Sequence, residues 1–283
     1  MKVLVIGGSS VAGQSTIQAI RQFDPKALIL STTSRDEVVA RADETVTHID
    51  AMDVNMAENL RAKIAHHGAM DFMFYMPAYG KVGFPVMQST REDAEVGMDF
   101  SYRPIIRVLD TIEIGTAVGF TGFYWLPSLV MTYGALAFAK IAMEELAVKM
   151  PDKLKVIRAG MFMSKSIRGI SILLQRVMQK DLVDHPDFHA YKKNWKASGQ
   201  KFMDFFADYA YDKERAEFGT KFSTPFRPTD PADLMPSVGR VLAGEKGPFF
   251  NSIGDWHWVE EQMPQLPPLF GEMKKQLYPE GLE

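Results

Sequence analysis

The chain has 283 residues, of which 46% are hydrophobic and 24% are charged. That length suffices for one large α/β domain, and we predict a single domain over residues 1–283. A net charge of −3, from 32 basic and 35 acidic residues, gives no electrostatic reason to expect nucleic acid or an anionic membrane as a partner. The lack of cysteine excludes disulfides and thiolate chemistry, and it fits a reducing compartment.

The sequence carries no sign of export or of a membrane span. The first residues lack the ordered regions of a secretory signal, and no apolar run approaches the roughly 18 residues of a spanning helix. We therefore expect a cytoplasmic protein that acts on a small-molecule substrate.

Strand and helix patterns alternate over the first 158 residues. Helical spacing follows the first strand at Ile17 and Ile20. Strands alternating with helices predict a doubly wound parallel sheet, an α/β fold of the Rossmann type. Strands are predicted at residues 2–7, 27–31, 46–50, 71–76, 119–126 and 154–158, and helices at 55–67, 98–114 and 133–149.

A helical insertion is predicted over residues 170–226, where aromatic residues become frequent. Phe202, Phe205, Phe206 and Tyr209 recur at the spacing of one helix face, which fits either plain core packing or an apolar lid over a substrate. A helix at 232–243 and a last strand at 248–252 are predicted to follow. The Pro-rich residues 263–268 are expected to be a surface connection.

A glycine-rich turn directly follows the first strand and opens the first helix. Such a turn lets the backbone approach a pyrophosphate, and the N–H groups at the start of the helix favour the anion. The alternative is an ordinary turn between a strand and a helix. Cofactor contacts are predicted for Gly7, Ser9, Ser10, Val11 and Gly13.

The end of the second strand bears on the choice of cofactor. Thr33, Ser34 and Arg35 stand where NAD-preferring sites carry an acid for the ribose hydroxyl. Arg35 can pair instead with a 2′-phosphate, although Asp36 follows it and a solvated surface charge is the alternative. Asp50 is placed to meet the adenine at the end of the third strand, with Asp53 as the other candidate.

Tyr133 and Lys140 stand seven positions apart, which predicts that both project from one face of a single helix. A phenol with a pKa of about 10 needs a neighbouring cation to donate a proton near neutral pH. The two residues are therefore candidates for one catalytic site. An interfacial tyrosine and a helix-surface lysine are the alternative.

No metal site is predicted. His185 and His189 have the spacing of one helical turn, yet Pro186 opposes a helix and no third ligand is near in sequence. The remaining histidines, including His66 and His67, form no ligand pattern. A glycine-x-serine-x-glycine segment is also missing, which argues against a serine hydrolase.

Residues 1–166, and to a lesser degree 227–254, resemble the short-chain dehydrogenase/reductases, most of all the divergent enoyl-acyl-carrier-protein reductases. Ordinary members carry Tyr-x3-Lys, which would place Leu136 at the tyrosine position, whereas the enoyl reductases carry Tyr-x6-Lys, matched by Tyr133 and Lys140. Residues 159–164 resemble the family segment that meets the nicotinamide and the pyrophosphate. Residues 76–80 stand where the fourth strand meets the adenine ribose.

The resemblance implies an NADPH-dependent reductase of an enoyl thioester or a related conjugated alkene, with NADH less favoured. It implies that Tyr133 stabilises the developing enolate, that Lys140 orients the ribose, and that Tyr124 shapes the pocket. It also implies a homodimer or homotetramer formed through the helix of Lys140, and a carrier-bound acyl chain is one form of substrate. A carbonyl reductase and a non-catalytic nucleotide sensor are the alternatives. Further cofactor contacts are implied for Met76, Pro77, Ala78, Gly160, Met161, Phe162 and Ser164.

Overall fold

Residues 1–281, which the computed structural model describes, form eight strands in one sheet. The strands are β1 Lys2–Ile6, β2 Leu28–Thr32, β3 Glu44–Val46, β4 Met70–Tyr75, β5 Ile114–Gly122, β6 Leu154–Ala159, β7 Phe249–Ile253 and β8 Trp256–Glu260. Their order in the sheet is β3-β2-β1-β4-β5-β6-β7-β8. β1 to β7 run parallel, and β8 is antiparallel to β7.

Eleven α-helices lie between and after these strands in the described part of the chain. None of them is long and apolar enough to cross a membrane. The helices are α1 Val11–Phe23, α2 Met56–Ile64, α3 Arg91–Ser101, α4 Arg103–Thr111, α5 Pro127–Val130, α6 Leu136–Lys149, α7 Lys165–Gln179, α8 Pro186–Ser198, α9 Phe202–Phe218, α10 Leu234–Leu242 and α11 Pro268–Leu277.

Both faces of the sheet are buried, because successive side chains of each strand point to opposite sides. Val3 and Val5 of β1 pack with α1 and α10 on one face. Leu4 and Ile6 pack with α2, α4 and α6 on the other face. This explains why the strands read as continuous apolar runs in the sequence, and the predicted doubly wound fold is confirmed.

The helical insertion is present between β6 and β7 as α7, α8 and α9. Two elements at the carboxyl end were not predicted. β8 folds back on β7 after a turn at Gly254 and Asp255, and α11 begins at Pro268, where we expected only a surface connection. Pro268 lies in the first turn of α11, the one helical position that proline suits, because its missing N–H needs no partner there.

Three boundaries differ from those predicted for physical reasons. The predicted helix 98–114 is two helices that meet at Tyr102, because Pro104 lies at the start of the second one and lacks an N–H. β5 then begins at Ile114. β3 is shorter and earlier than the predicted strand 46–50, since the backbone turns at His48, which has a φ of 58°.

A buried ion pair joins α6 to the centre of the sheet. The side chains of Glu144 on α6 and Arg158 on β6 are both 0% exposed. Arg158 donates two hydrogen bonds to the carboxylate, at 2.9 and 2.6 Å. The hydroxyls of Thr121 and Tyr124 donate to the same two oxygens at 2.9 and 3.0 Å. Arg158 also reaches Glu260 of β8 at 2.9 Å.

Every nitrogen of the Arg158 guanidinium donates one hydrogen bond to a carboxylate. Four donated bonds reach the Glu144 carboxylate, and the Arg158 guanidinium lies 3.8 Å from the centre of the Phe249 ring. A buried pair is stable only when its remaining hydrogen-bonding capacity is met in this way. The pair therefore sets the position of α6 relative to β5, β6 and β8.

We expect Glu144→Gln to destabilise the fold by about 3–5 kcal/mol, because it leaves the Arg158 charge buried without its partner. The matched control is Glu145→Gln. Glu145 pairs with Lys274 at a partly exposed site, so that change should stay within about 0.5 kcal/mol. Urea unfolding followed by circular dichroism measures both. Equal stability losses in the two variants would contradict the role given to the buried pair.

Candidate active site

The order of the strands reverses at β1, which lies between β2 and β4. In open α/β sheets, the crevice outside the carboxyl ends of the strands at such a point is the usual ligand site. The glycine turn follows β1 there, and Met76 to Gly80 follow β4. These two segments, both predicted to hold a cofactor, therefore lie side by side at the carboxyl ends of the strands.

The glycine turn is built as a helix start. Ser10 is the N-cap of α1, and its hydroxyl accepts from the N–H of Gly13 at 3.0 Å. A Cβ at Gly13 would lie 2.7 Å from the carbonyl oxygen of Gly7, so close packing alone requires glycine there. Within residues 1–281 the N–H groups of Val11 and Ala12 have no hydrogen-bond partner, and they form the end of α1 that favours an anion.

The end of β2 differs in one respect from the sequence interpretation. Ser34 and Arg35 are exposed, and the Arg35 guanidinium makes no bond within residues 1–281. Thr33 is buried, and its hydroxyl donates to the carboxylate of Glu37 at 3.0 Å. The carboxylate of Glu37 therefore lies close to the end of β2, because the chain turns back after Thr33.

The carboxylates of Asp50 and Asp53 differ in their contacts. Asp53 uses both carboxylate oxygens at the start of α2, for the N–H of Asn55 and the side chain of Asn59. Asp50 is exposed and uses only one oxygen, for the N–H of Met52. One carboxylate oxygen of Asp50 therefore has no contact in the described part of the chain.

The segment after β4 is held rigidly. Met76 continues the pairing of β4 with β1 through its N–H. The hydroxyl of Ser101 accepts from the N–H of Tyr79 and donates to its carbonyl, both at 3.0 Å. Ala78 between them is exposed and Pro77 half-buried at the crevice.

Tyr133 does not lie on the helix that carries Lys140, which corrects the predicted helix 133–149. α6 begins at Leu136, and Gly134 has a φ of +51° that a helix cannot contain. Tyr133 forms a short bridge with Phe84 instead. A Cβ at Gly134 would lie 2.6 Å from the carbonyl oxygen of Lys81, so the turn depends on glycine.

Lys140 is buried on α6, and its ammonium donates to the carbonyl of Phe120 at 2.9 Å. That carbonyl lies one residue past Gly119, where the pairing of β5 with β4 ends. Desolvation lowers the pKa of Lys140 to about 8, against the opposing effect of Glu144. The cation is thus placed next to the carboxyl end of β4, from a different element than Tyr133.

Tyr133 faces a small apolar cleft. Desolvation by the surrounding protein raises the pKa of its phenol to about 12, so the hydroxyl is neutral and can donate. Within the described chain this hydroxyl has no hydrogen-bond partner. All three insertion helices contribute to the cleft, which is lined by Ser128, Leu129, Thr132, Tyr133, Met161, Ile167, Ile170, Tyr191, Phe206 and Ala210.

The predicted pocket role of Tyr124 is not supported. Tyr124 is fully buried, and its hydroxyl donates to Glu144 behind the cleft. Burial and the neighbouring carboxylate raise the pKa of Tyr124 well above its ordinary value. Leu136, at the tyrosine position of the ordinary dehydrogenases, is also buried and packs against Gly80.

The segment after β6 is less open than the sequence implied. The N–H of Gly160 donates to the carbonyl of Ser252, so it belongs to the pairing with β7. The N–H of Met161 donates to a carboxylate oxygen of Glu214 at 2.5 Å. Ser164 is the N-cap of α7, where its hydroxyl accepts from Ile167. Phe162 is half-buried. The N–H groups of Gly160 and Met161 are therefore not free for a cofactor.

Glu214 is a residue of this region that the sequence interpretation missed. It lies on α9, four and eight positions after the cleft residues Ala210 and Phe206, and is 4% exposed. Its second carboxylate oxygen is buried without a partner in the described chain. Burial raises the pKa of Glu214 to about 8. In the sequence, Glu214 shows only as an acidic residue at a position that continues an apolar helix face.

The aromatic residues of α9 that recur at the spacing of one helix face have different surroundings. Phe206 lines the cleft, whereas Phe202 and Phe205 pack against Trp195 and Tyr191 of α8. Phe206 therefore forms part of the cleft wall, and Phe202 and Phe205 take part in core packing; a lid over a substrate stays a prediction.

The fold is similar to that of the solved protein gox2181. The match covers 89% of this chain and 93% of that chain, with a TM-score of 0.58 and 12% sequence identity. At that identity it shows a shared fold and nothing about activity. A short-chain type dehydrogenase/reductase from Mycobacterium ulcerans matches 62% of this chain and 74% of its own at a TM-score of 0.48 and 18% identity, a likeness too low to support an inference. No protein-family model and no curated protein sequence matches this chain.

Gly134→Ala should destabilise the protein by at least about 1–2 kcal/mol, because alanine disfavours a left-handed backbone and its Cβ meets Lys81. The control is Gly239→Ala in the middle of α10, where a Cβ meets nothing within 4 Å. That change should stabilise the protein by up to about 1 kcal/mol, since alanine is the better helix former. Thermal and urea unfolding of both variants give the comparison. A neutral Gly134→Ala would contradict the described turn.

Proposed function

We propose that this chain is an NADPH-dependent reductase of the short-chain dehydrogenase/reductase type, acting on the C=C bond of an enoyl thioester or a related conjugated alkene. The observation that carries the proposal is the unpartnered hydroxyl of Tyr133 in an apolar cleft, with a buried lysine at the adjoining crevice. The doubly wound fold, which gox2181 shares, is one that often binds a dinucleotide where the strand order reverses.

The residues at the crevice fit the phosphate and adenine parts of such a cofactor. Val11 and Ala12 offer free N–H groups at a helix start, Arg35 offers an exposed guanidinium, and Asp50 offers a free carboxylate oxygen. Met161 does not fit in the same way, because its N–H is bonded to Glu214. When bound, NADPH supplies the hydride.

The chain's own contribution to the reaction is electrostatic. A neutral phenol donates a hydrogen bond, and that bond strengthens as negative charge develops on the substrate oxygen. In the proposed reaction, Tyr133 stabilises the enolate oxygen in this way. The Lys140 ammonium orients the cofactor ribose from its position beside Phe120.

The insertion is proposed to select the substrate. Ile167, Ile170, Tyr191 and Phe206 supply most of the apolar wall opposite Tyr133, so burial of an acyl chain against them would provide binding energy. The predicted homodimer or homotetramer and the predicted cytoplasmic location remain predictions. α6 offers little surface for the expected interface, because ten of its residues are buried within the chain.

A nucleotide sensor without turnover is the second candidate, and one observation favours it. In the segment that the family resemblance assigns to the nicotinamide and the pyrophosphate, residues 159–164, the N–H groups of Gly160 and Met161 are already bonded to Ser252 and Glu214. A protein that binds only the phosphate and adenine parts would keep the glycine turn and Arg35 and would not need this segment to be free.

The deciding experiment is an NADPH-oxidation screen that compares enoyl thioesters of several chain lengths with ketones and aldehydes. Turnover of an alkene supports the proposal. Turnover of carbonyl compounds alone would replace it with a carbonyl reductase. NADPH binding without turnover of any substrate would favour the sensor.

Tyr133→Phe should lower kcat on the best substrate by about 10²–10³, because it removes one hydrogen bond to the developing oxyanion and keeps the ring. NADPH affinity should stay nearly unchanged. Leu136→Met is the control, since it alters the tyrosine position of the ordinary dehydrogenase register by a volume-conserving swap. Steady-state kinetics and NADPH titration give both quantities. Full activity of Tyr133→Phe would remove its catalytic role.

NADPH should bind roughly 10- to 100-fold more tightly than NADH, because a charged hydrogen-bonded pair contributes about 1.5–3 kcal/mol. Arg35→Ala should remove most of that difference. Arg41→Ala, at another exposed arginine of the same loop, should preserve it. Fluorescence titration of both cofactors tests this, and equal affinities in the unaltered protein would refute the assignment of Arg35.

A further inference from the structure

Glu44, His66 and His67 bring three metal-ligating side chains together at one edge of the sheet. Glu44 begins β3, which is the edge strand. His66 and His67 lie in the 3₁₀ turn Ala65–His67, between α2 and β4. One ligating atom from each residue lies within 4.8 Å of the other two. Glu44 and the two histidines come together only in the folded chain, so sequence spacing does not show the cluster.

The distances are close to those of a coordinated ion. His67 Nε2 lies 2.8 Å and His66 Nε2 lies 4.0 Å from the same Glu44 oxygen, Oε2. Ligands at about 2.0–2.2 Å from a tetrahedral zinc ion are roughly 3.3 Å apart. One separation must therefore widen by about 0.5 Å and the other shorten by about 0.7 Å. The side chain of His66 is 64% exposed and free to turn.

We propose that Glu44, His66 and His67 form a binding site for one Zn²⁺ ion, with water in the fourth position. Two imidazole nitrogens and one carboxylate oxygen suit a borderline ion such as Zn²⁺, whereas Mg²⁺ and Ca²⁺ prefer oxygen ligands alone. Bound zinc leaves one net positive charge with the Glu44 carboxylate and two neutral rings. The site is distinct from the His185 and His189 pair considered above, since His185 caps α8 and His189 bonds Asp184.

The zinc ion would join the edge strand β3 to the turn that carries His66 and His67. β3 has only three residues and pairs with β2 alone. Coordination would tie Glu44 to the turn that leads into β4. Both ends of this link lie at the amino ends of their strands, opposite the carboxyl ends that carry the proposed cofactor site. The proposal therefore stands apart from the proposed reductase activity.

The simpler alternative is that the cluster is only a hydrogen bond between His67 and Glu44. In that case His66 contributes nothing beyond its contact with the His67 ring, whose centre lies 3.9 Å from its own. His66 is therefore the residue that distinguishes the two interpretations. Because His66 is exposed, its substitution should leave the fold intact.

The test is calorimetric titration of the full chain, free of any purification tag, with zinc chloride. We expect one zinc per chain. His66→Ala and Glu44→Gln should each weaken zinc affinity at least about tenfold, because even the loss of an outer-shell partner costs about 10- to 100-fold. At 100 times the Kd, zinc should raise the folded-to-unfolded ratio about 100-fold and so raise Tm. Co²⁺ should give the visible absorption of a four-coordinate ion.

His189→Ala is the matched control, an exposed histidine with a carboxylate partner, and it should bind zinc as the unaltered chain does. Unchanged affinity in His66→Ala, or affinity lost in His189→Ala, would overturn the proposal. So would the absence of zinc binding at any stoichiometry near one. Glu44→Gln is checked for folding by circular dichroism, and His66→Ala decides the matter if that variant fails to fold.

Discussion

The ion pair between Glu144 and Arg158 is the constraint on which the rest of the site depends. Both side chains are removed from water. The Glu144 carboxylate accepts four hydrogen bonds, two from Arg158 and two from hydroxyls, and Arg158 donates a third bond to Glu260. A buried charge without such partners would cost several kcal/mol. Because Glu144 lies one helical turn after Lys140, the position of the lysine follows from the position of the pair. The same carboxylate raises the pKa of Lys140 against the effect of burial.

Tyr133 is positioned by other means. It belongs to the turn after α5, where Gly134 and the strand-like contact with Phe84 set its direction. The two candidate catalytic residues therefore come from separate elements, and the proposed reaction requires that both elements keep their places. The insertion helices close the cleft from the other side, and the bond from Met161 to Glu214 joins α9 to the end of β6.

The strand pattern, the glycine turn and the insertion could all be predicted from the sequence, because buried parallel strands and helix starts leave local signals. Tyr133 was misplaced because its seven-residue spacing from Lys140 suggests a helix, and the left-handed backbone of Gly134 cannot be inferred from composition. Tyr124 was misplaced because its partner Glu144 is 20 residues away. β8 was not predicted because its apolar and polar residues alternate only partly. Glu214 and the cluster of Glu44, His66 and His67 depend on tertiary contacts that sequence spacing does not reveal.

The bond from Arg158 to Glu260 has a consequence for how the chain folds as it is synthesised. The two residues are 102 positions apart, whereas Arg158 and Glu144 are 14 apart. The nearer pair can form as soon as α6 and β6 leave the ribosome, but the second carboxylate arrives only after the insertion and β7 have been made. Until Glu260 has been made, Nη1 of Arg158 lacks its carboxylate partner, so the contact between β6 and β8 can form only after β8 has been synthesised.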